Sequence, residues 1–474
     1  MTETANSSTY SDALAAIWAR SGYDRGFISN PFAGDDAACL GLMRTSGMLD
    51  RLGNPERRYR IVHVAGSKGK GSTTVTVDAL LRQTGLRVGR FTSPHLHSYR
   101  ERIVVQNEMI SKSDFATVTM EALVAVEALE REAPELGAVT AWELSTAMAL
   151  SWYGQAGCDF AVIEVGLGGT LDATNIVDPE ISVITRLDYE HTAILGDTLT
   201  EIAGNKAGII KQGKPVVCAA QPDEARIVIE SKTRETGSRL ILADRDFSVS
   251  GSDSDFSYRD QDGTIGHLST VLAGRHQVDN AALAIATTRA LTGVDLSEDQ
   301  IRAGLRDVVH PGRFEQVRIS PVTMLVIDGA HSPVAATALV QAIEERYPGA
   351  RPLMVVGMLQ DKDAGRFVSI LHDIAGGWNL AAPASPRALP VSLLGEHLTS
   401  VSSAATAFAS IPEALAAAID AKPALIVVTG SLITVAEARV VLGLAIDDPV
   451  PATAQYSTSA TPINDAPAST TRVS

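Results

Sequence analysis

His63-Val64-Ala65-Gly66-Ser67-Lys68-Gly69-Lys70-Gly71-Ser72-Thr73 decides how the rest of the chain is read. The apolar run 61–65 reads as a buried strand, and residues 74–81 read as a helix. A glycine-rich turn between strand and helix presents backbone N–H groups to phosphate oxygens, with the helix N-terminus behind them. Lys70 is in reach of terminal phosphates, and Ser72 or Thr73 of a Mg²⁺ ion. The turn therefore points to a nucleoside triphosphate. It departs from the strict GxxxxGK[ST] spacing: the first glycine stands too close to the second, and Gly71 separates Lys70 from the hydroxyl. A mobile glycine turn with surface lysines is the plain alternative, and the strand-before, helix-after context weighs against it.

With 474 residues the chain is too long for one ordinary core, so two or more domains are expected. Hydrophobic residues make up 45% and charged residues 20%, as in a soluble globular protein. No apolar run is long enough to span a bilayer, and residues 1–10 carry no signal-peptide pattern. Cys39, Cys158 and Cys218 are scattered without metal or disulfide spacing, which fits a reducing cytoplasm and buried small hydrophobes. A net charge of −15 argues against general binding to nucleic acid or to an acidic membrane, but leaves anionic small substrates open.

Apolar runs at 61–65, 88–92, 160–165, 182–185 and 215–218 alternate with helical patterns such as 141–153, as in an α/β doubly wound, mainly parallel sheet. Residues 240–271 read as a small β-rich excursion before a helix beginning near 278. His310-Pro311-Gly312-Arg313 reads as a domain junction, because Pro and Gly both stop helices. A second α/β unit follows, with strands at 324–327, 353–356 and 425–429 and a helix at 333–347. The expected organisation is an N-terminal segment 1–40 with a disordered start, a P-loop-containing domain 41–310, a smaller Rossmann-like domain 311–446, and a Pro/Thr/Ser/Ala-rich disordered tail 447–474.

Further segments are specific. Phe91-Thr92-Ser93-Pro94-His95-Leu96 closes the second strand, and Arg100-Glu101-Arg102-Ile103 follows. Glu164-Val165-Gly166-Leu167-Gly168-Gly169 runs on to Leu171-Asp172-Ala173-Thr174-Asn175. Then come Asp188, His191 and Asn205-Lys206-Ala207-Gly208, and the second unit opens with Asp328-Gly329-Ala330-His331-Ser332-Pro333. Together these resemble the folylpolyglutamate synthase/dihydrofolate synthase family of the Mur-ligase superfamily, over residues 41–444.

The resemblance implies an ATP-dependent ligase of folate and one-carbon metabolism. Such an enzyme transfers the γ-phosphate of ATP to a carboxylate of folate or dihydropteroate, and the amino group of L-glutamate attacks the acyl phosphate. Oxide cannot leave a carboxylate, whereas phosphate can. By resemblance Gly66, Ser67, Lys68, Gly69, Lys70, Gly71 and Ser72 cradle the phosphates. Ser72, Ser93, Glu164 and His191 bind Mg²⁺, and Lys206 matches the lysine that the family carbamylates. Asn280, Arg313 and Asp328 are implied contacts of the nucleotide, with Arg313 as a charge clamp across the cleft. Lys70, Lys206, His191 and His331 are the implied catalytic residues, and His331 and Ser431 handle the incoming glutamate. Thr140, Trp142, Glu143, Leu171, Asp172 and Ala173 are implied on the acceptor side. There Trp142 either stacks on a flat heterocycle or is a core residue at a helix start. Ligands from both domains must meet ATP, so closure of the cleft is expected.

Four positions depart from the family pattern. Ser67-Lys68 stands where the family has Thr-Asn, Thr170 where it commonly has Arg, and Ser332 where it has Asn. Loss of a guanidinium at 170 bears on which acid is accepted. A peptidoglycan-type amino-acid ligase is the alternative within the superfamily, but the segment ahead of the turn is short for a separate UDP-sugar-binding module. A non-catalytic nucleotide-binding protein is opposed by the joint presence of Lys70, Glu164, His191 and Lys206. A plain ATPase or kinase would need no glutamate. A cytoplasmic monomer with no nucleic-acid or membrane partner is expected.

Overall fold

The computed structural model describes residues 9–21, 35–400, 405–446 and 448. The opening residues 1–8, the stretch 22–34 and the expected tail 447–474, Asp448 excepted, lie outside the described residues.

Eight strands make the first sheet: β1 Arg60–Ala65, β2 Val88–Phe91, β3 Ile103–Val105, β4 Glu108–Met109, β5 Phe160–Glu164, β6 Ile181–Ile184, β7 Val216–Cys218 and β8 Leu240–Leu242. Their order is β4-β3-β2-β5-β1-β6-β7-β8, and antiparallel pairing is confined to β2–β3 and β3–β4. That edge hairpin was not legible in the sequence. Its strands are too short to show a period, and its turn is made by Gln106 and Asn107 at positive φ, 52° and 62°. Side chains alternate across the central strands. Ile61, Phe91, Ala161 and Ile163 face one core, shared with α1 (Tyr10–Ala19), α2 (Asp35–Arg51), α4 (Lys112–Glu132) and α5 (Ala141–Gln155). Val62, Val64, Val88, Phe160 and Val162 face another, covered by α3 (Lys70–Arg82) and the helix Arg275–Ala290. Helix α1 was not anticipated. A Thr9/Asp12 capping box starts it, and Ala13, Leu14 and Ile17 are buried.

The β-rich excursion is an antiparallel meander of β9 Phe247–Ser252, β10 Asp255–Asp260 and β11 Gly263–Leu268. The helix after it starts at Arg275 rather than near 278, because Gly274 at φ 101° ends the extended chain. The second domain holds β12 Glu315–Arg318, β13 Met324–Ile327, β14 Leu353–Val356, β15 Gly377–Leu380, β16 Ala405–Ala407 and β17 Leu425–Thr429. They are ordered β12-β13-β17-β14-β15-β16 and are parallel except for β12. Among the described residues no helix is long and apolar enough to cross a membrane, and Cys158 and Cys218 are buried free thiols.

Three residues read as lining the acceptor site are committed to the scaffold. Thr140 caps α5, and Glu143 completes its capping box. Glu143 also binds Arg44 of α2 bidentately at 2.7 and 2.8 Å, with side chains only 8% and 11% exposed. Trp142 stacks on Phe91 with centroids 5.3 Å apart and donates from Nε1 to Asp172 Oδ2 at 3.2 Å. Asp172, fully buried, accepts from Leu167 N and from the Thr174 hydroxyl. Thr174 in turn accepts from His63 Nε2 on β1 at 2.9 Å. A run of hydrogen bonds thus ties β1 through the 167–174 loop to α5.

Two stability predictions follow from these contacts. Glu143→Ala removes the carboxylate that neutralises a buried guanidinium, and should cost about 3–5 kcal/mol in urea unfolding. Stability equal to wild type would contradict the assignment. Burial pushes the His63 pKa down to about 3 from an ordinary 6.5, with Lys211 adding to the effect. The unfolded chain then binds a proton that the native chain refuses, so this stabilisation is complete above 6.5 and is lost as pH falls toward 3. Measured by urea unfolding, the advantage of wild type over His63→Asn should shrink by about 2 kcal/mol between roughly pH 8 and pH 5.

Candidate active site

Parallel register sets which residues meet at the carboxyl edge of the first sheet. Val64 pairs with Glu164 across β1 and β5, Phe91 with Ile163 across β2 and β5, and Ala65 with Ile184 across β1 and β6. Gly66, Ser93 and Thr185, just beyond those pairs, emerge side by side where open α/β sheets bind ligands. A Cβ on Gly66 would lie 1.8 Å from Thr185 Oγ1, so the close approach requires glycine. The N–H groups of Ser67 and Lys68 both donate to Arg186 O, at 3.1 and 3.0 Å. Gly69, at φ 87°, ends the turn, and α3 begins at Lys70 rather than at 74. The first-turn N–H groups of Lys70, Gly71 and Ser72 therefore point out of the helix end toward any anion seated there.

Positive charge is concentrated behind this turn. Lys70 Nζ and Lys206 Nζ each donate to Gly66 O at 2.8 Å. Glu190 is their common counter-ion: it accepts from Lys206 at 2.9 Å and lies 3.8 Å from Lys70 and 3.9 Å from Lys68. Burial works to raise the Glu190 pKa, but Lys70 and Lys206 outweigh it and hold the carboxyl below its ordinary value. Burial, and then Lys70, lower the Lys206 ammonium to about 8 against the pull of Glu190.

Glu164 is buried at the end of β5, and its Oε2 accepts from Ser93 N at 3.0 Å. Among the described residues it has no ion-pair partner, and burial pushes its pKa up to about 7 despite Lys70 nearby. A desolvated carboxylate with spare lone pairs, beside the hydroxyl-bearing Ser72 and Ser93, suits a hard divalent cation such as Mg²⁺. His191, read as a further ligand, is exposed at the start of the short helix Thr192–Leu195 and does not line the cavity. Among the described residues no group of three His, Cys, Asp or Glu side chains is placed to hold a metal.

A cavity of about 990 Å³ lies between the two domains, with Ser67–Gly69, Gly71, Ser72, Ser93 and Glu164 on one wall. Asn280, Arg313, Asp328 and His331 line it too. Asn280 lies against Gly69, where a Cβ would fall 2.3 Å from its Oδ1. Asp328 accepts from Ala330 N and Phe314 N, both at 2.8 Å, and so holds the junction loop to the end of β13. The Arg313 guanidinium has no hydrogen-bond or ion-pair partner among the described residues. His331 donates from Nδ1 to Gly329 O at 2.8 Å, and burial lowers its pKa, so Nε2 is left as a free acceptor.

Lys70, Lys206, Gly66, Leu171, Asp172, Ala173 and Ser431 are not on the cavity wall. Ser431 caps the helix Leu432–Val441, its Oγ accepting from Thr434 N at 3.0 Å. Thr170 is held by two bonds to Asn205 O. Sequence reasoning missed Glu190, whose neighbour His191 drew the attention, and His310, read only as a junction residue. His310 is half-buried on the cavity wall, its Nδ1 lies 3.5 Å from Ser72 Oγ, and its ring would crowd any Cβ at position 71.

Residues 64–288 match the Mur ligase middle domain, and residues 312–432 match the Mur ligase glutamate ligase domain. The folylpolyglutamate synthase of Lacticaseibacillus casei is 37% identical over 356 residues, covering 72% of this chain and 81% of that protein. The dihydrofolate synthase/folylpolyglutamate synthase of Escherichia coli (strain K12) is 35% identical over 405 residues, 85% of this chain and 91% of that one. Among solved structures, E. coli FolC in complex with DHPP and ADP superposes with a TM-score of 0.78 at 32% identity, over 92% of this chain and 98% of that one. Mycobacterium tuberculosis folylpolyglutamate synthase complexed with ADP gives 0.81 at 29% identity, over 92% and 99%. With this cleft and these likenesses over both domains, the chain belongs to the folylpolyglutamate synthase/dihydrofolate synthase family of Mur ligases.

Proposed function

We propose that the chain uses ATP to join L-glutamate to a folate-type carboxylate, extending folates, converting dihydropteroate to dihydrofolate, or both. The observation that carries this reading is the meeting, at one cavity, of the phosphate turn and Glu164 from the first domain with Arg313 and His331 from the second. One oxygen of the acceptor carboxylate attacks the γ-phosphorus and ADP leaves. The glutamate amine attacks the acyl carbon, phosphate departs, and the amine loses a proton. The first-turn N–H groups of α3 and Lys70 receive the phosphates, while the unpartnered Arg313 clamps them from across the cleft. Nε2 of His331 accepts the amine proton. Glu164, Ser72 and Ser93 would hold Mg²⁺, which when bound neutralises charge between the two anions. Asn280 contacts the adenine side. The enzyme works as a monomer in the cytoplasm.

Purified protein with ATP, Mg²⁺ and L-glutamate should release phosphate only when an acceptor is present. A glutamate mass increment on dihydropteroate identifies the synthase step, and one on tetrahydrofolate the chain-extending step. Silence with both acceptors while ATP still binds would mean that a different acid is the substrate. Glutamate-independent phosphate release would mean a plain ATPase.

Lys206 is proposed to carry a carbamate, formed when its free amine attacks CO₂ and releases a proton. Its pKa of about 8 supplies free amine near neutral pH, more as pH rises. With ¹³C-bicarbonate, wild type should show a carbamate carbon signal that grows from roughly pH 7 to pH 9 and is absent in Lys206→Ala. The variant should be inactive, with no rescue by bicarbonate. An active Lys206→Ala enzyme, or a wild type with no such signal, would contradict the carbamate.

A further inference from the structure

Beyond the helix Leu432–Val441 the chain returns to the first domain. Arg439 fixes this departure: Nη2 donates to Leu444 O at 2.8 Å, Nη1 pairs with Glu315, and Nε lies 3.3 Å from His97 Nε2. Ile446 then forms part of the cavity wall, together with Leu96 and His97. Asp448 reaches α1 and the segment 98–112. Its Oδ2 accepts from Tyr10 OH at 2.9 Å, from Arg100 Nε at 3.2 Å and from Ser98 Oγ, and Lys112 Nζ lies 3.4 Å from Oδ1. Arg100 and Lys112 also lie 5.7 and 5.6 Å from the centre of the Tyr10 ring. The Asp448 side chain is 3% exposed. A carboxylate is buried to this degree only where cations and hydroxyls replace its water.

We infer that Leu444, Ile446 and Asp448 belong to a strap that crosses the cleft and walls one end of the cavity, with Asp448 as its catch and Tyr10, Ser98, Arg100 and Lys112 as the receiver. The sheet order says which end. Leu96, His97 and Met109 flank the β2–β4 edge, the phosphate turn follows the more central β1, and Pro222 and Phe247 flank the opposite edge at β7 and β8. Asn280 lies against the phosphate turn. Given the proposed function, on which this part rests, the strapped end takes the acceptor acid, and Asp448 is a positioning residue for that site. The strap ties four separate pieces together: α1, the loop after β2, the start of α4 and the last helix of the second domain.

Asp448→Ala and Asp448→Glu in the full chain test this, with hydrogen–deuterium exchange and steady-state kinetics as readouts. Asp448→Ala should speed exchange in peptides covering 440–448 and 98–112. It should also raise the KM for the acceptor acid about tenfold, with kcat and the KM for ATP held within about twofold. Asp448→Glu, which keeps the carboxylate, should recover most of both effects. Unchanged exchange in Asp448→Ala would overturn the strap. Faster exchange with an unchanged acceptor KM would overturn its positioning role. If wild type turns over no folate-type acid, the functional reading fails while the exchange data still decide the strap.

Discussion

Two ammonium groups, Lys70 and Lys206, share one carbonyl oxygen, that of Gly66, with Glu190 as the nearest counter-ion. Like charges at this distance in a partly dry site repel strongly unless an anion offsets them. One carboxylate serves three lysines, so while Lys206 is an unmodified ammonium the turn retains a surplus of positive charge. That surplus, set against helix N–H groups, is the constraint around which the rest is arranged. It explains why a chain with net charge −15 can take anions: the local field is decided by residues a few ångströms away. Glycine is required at 66 for a separate, steric reason, since Thr185 leaves no room for a side chain.

Parallel pairing converts this local field into a site. Because β1, β2 and β5 end in register, the phosphate turn, Ser93 and Glu164 arrive at one edge. The second sheet delivers its own carboxyl edge to the same cavity, with Asp328 at the end of β13. The contributions differ in kind. Asp328 spends both oxygens on backbone N–H groups and so acts as a brace for the junction. Arg313, beside it, is unspent among the described residues. A charge clamp has to be of the second kind, since a guanidinium already paired gains little from a phosphate.

The strands and the phosphate turn were legible because buried parallel strands are continuous apolar runs and glycines mark the turn between strand and helix. Helix α1 and the β3–β4 hairpin were not: a ten-residue helix near a polar start and strands of three and two residues carry little periodicity. Among site residues, those on the motif itself could be read. Glu190 could not, because its meaning comes from lysines at 68, 70 and 206 that only the fold brings together. Thr140, Trp142 and Glu143 carry two readings in the sequence, an acceptor-side segment and a helix start. Their pattern is that of a capping box with a core aromatic, and the structure uses them so. His191 shows the same limit: the residue type suited a metal, and its exposed position beside Glu190 depends on packing.

The proposed ligation depends above all on activation of the acceptor carboxylate by phosphoryl transfer. The most direct measurement is the fate of oxygen from an acceptor whose carboxylate carries ¹⁸O, followed by mass analysis of the phosphate released during glutamate ligation. If the carboxylate attacks the γ-phosphorus and phosphate later leaves the acyl carbon, each phosphate released carries one oxygen from the acceptor. Amide formation accompanied by unlabelled phosphate would contradict this reaction, because the phosphate would then have taken its oxygen from water.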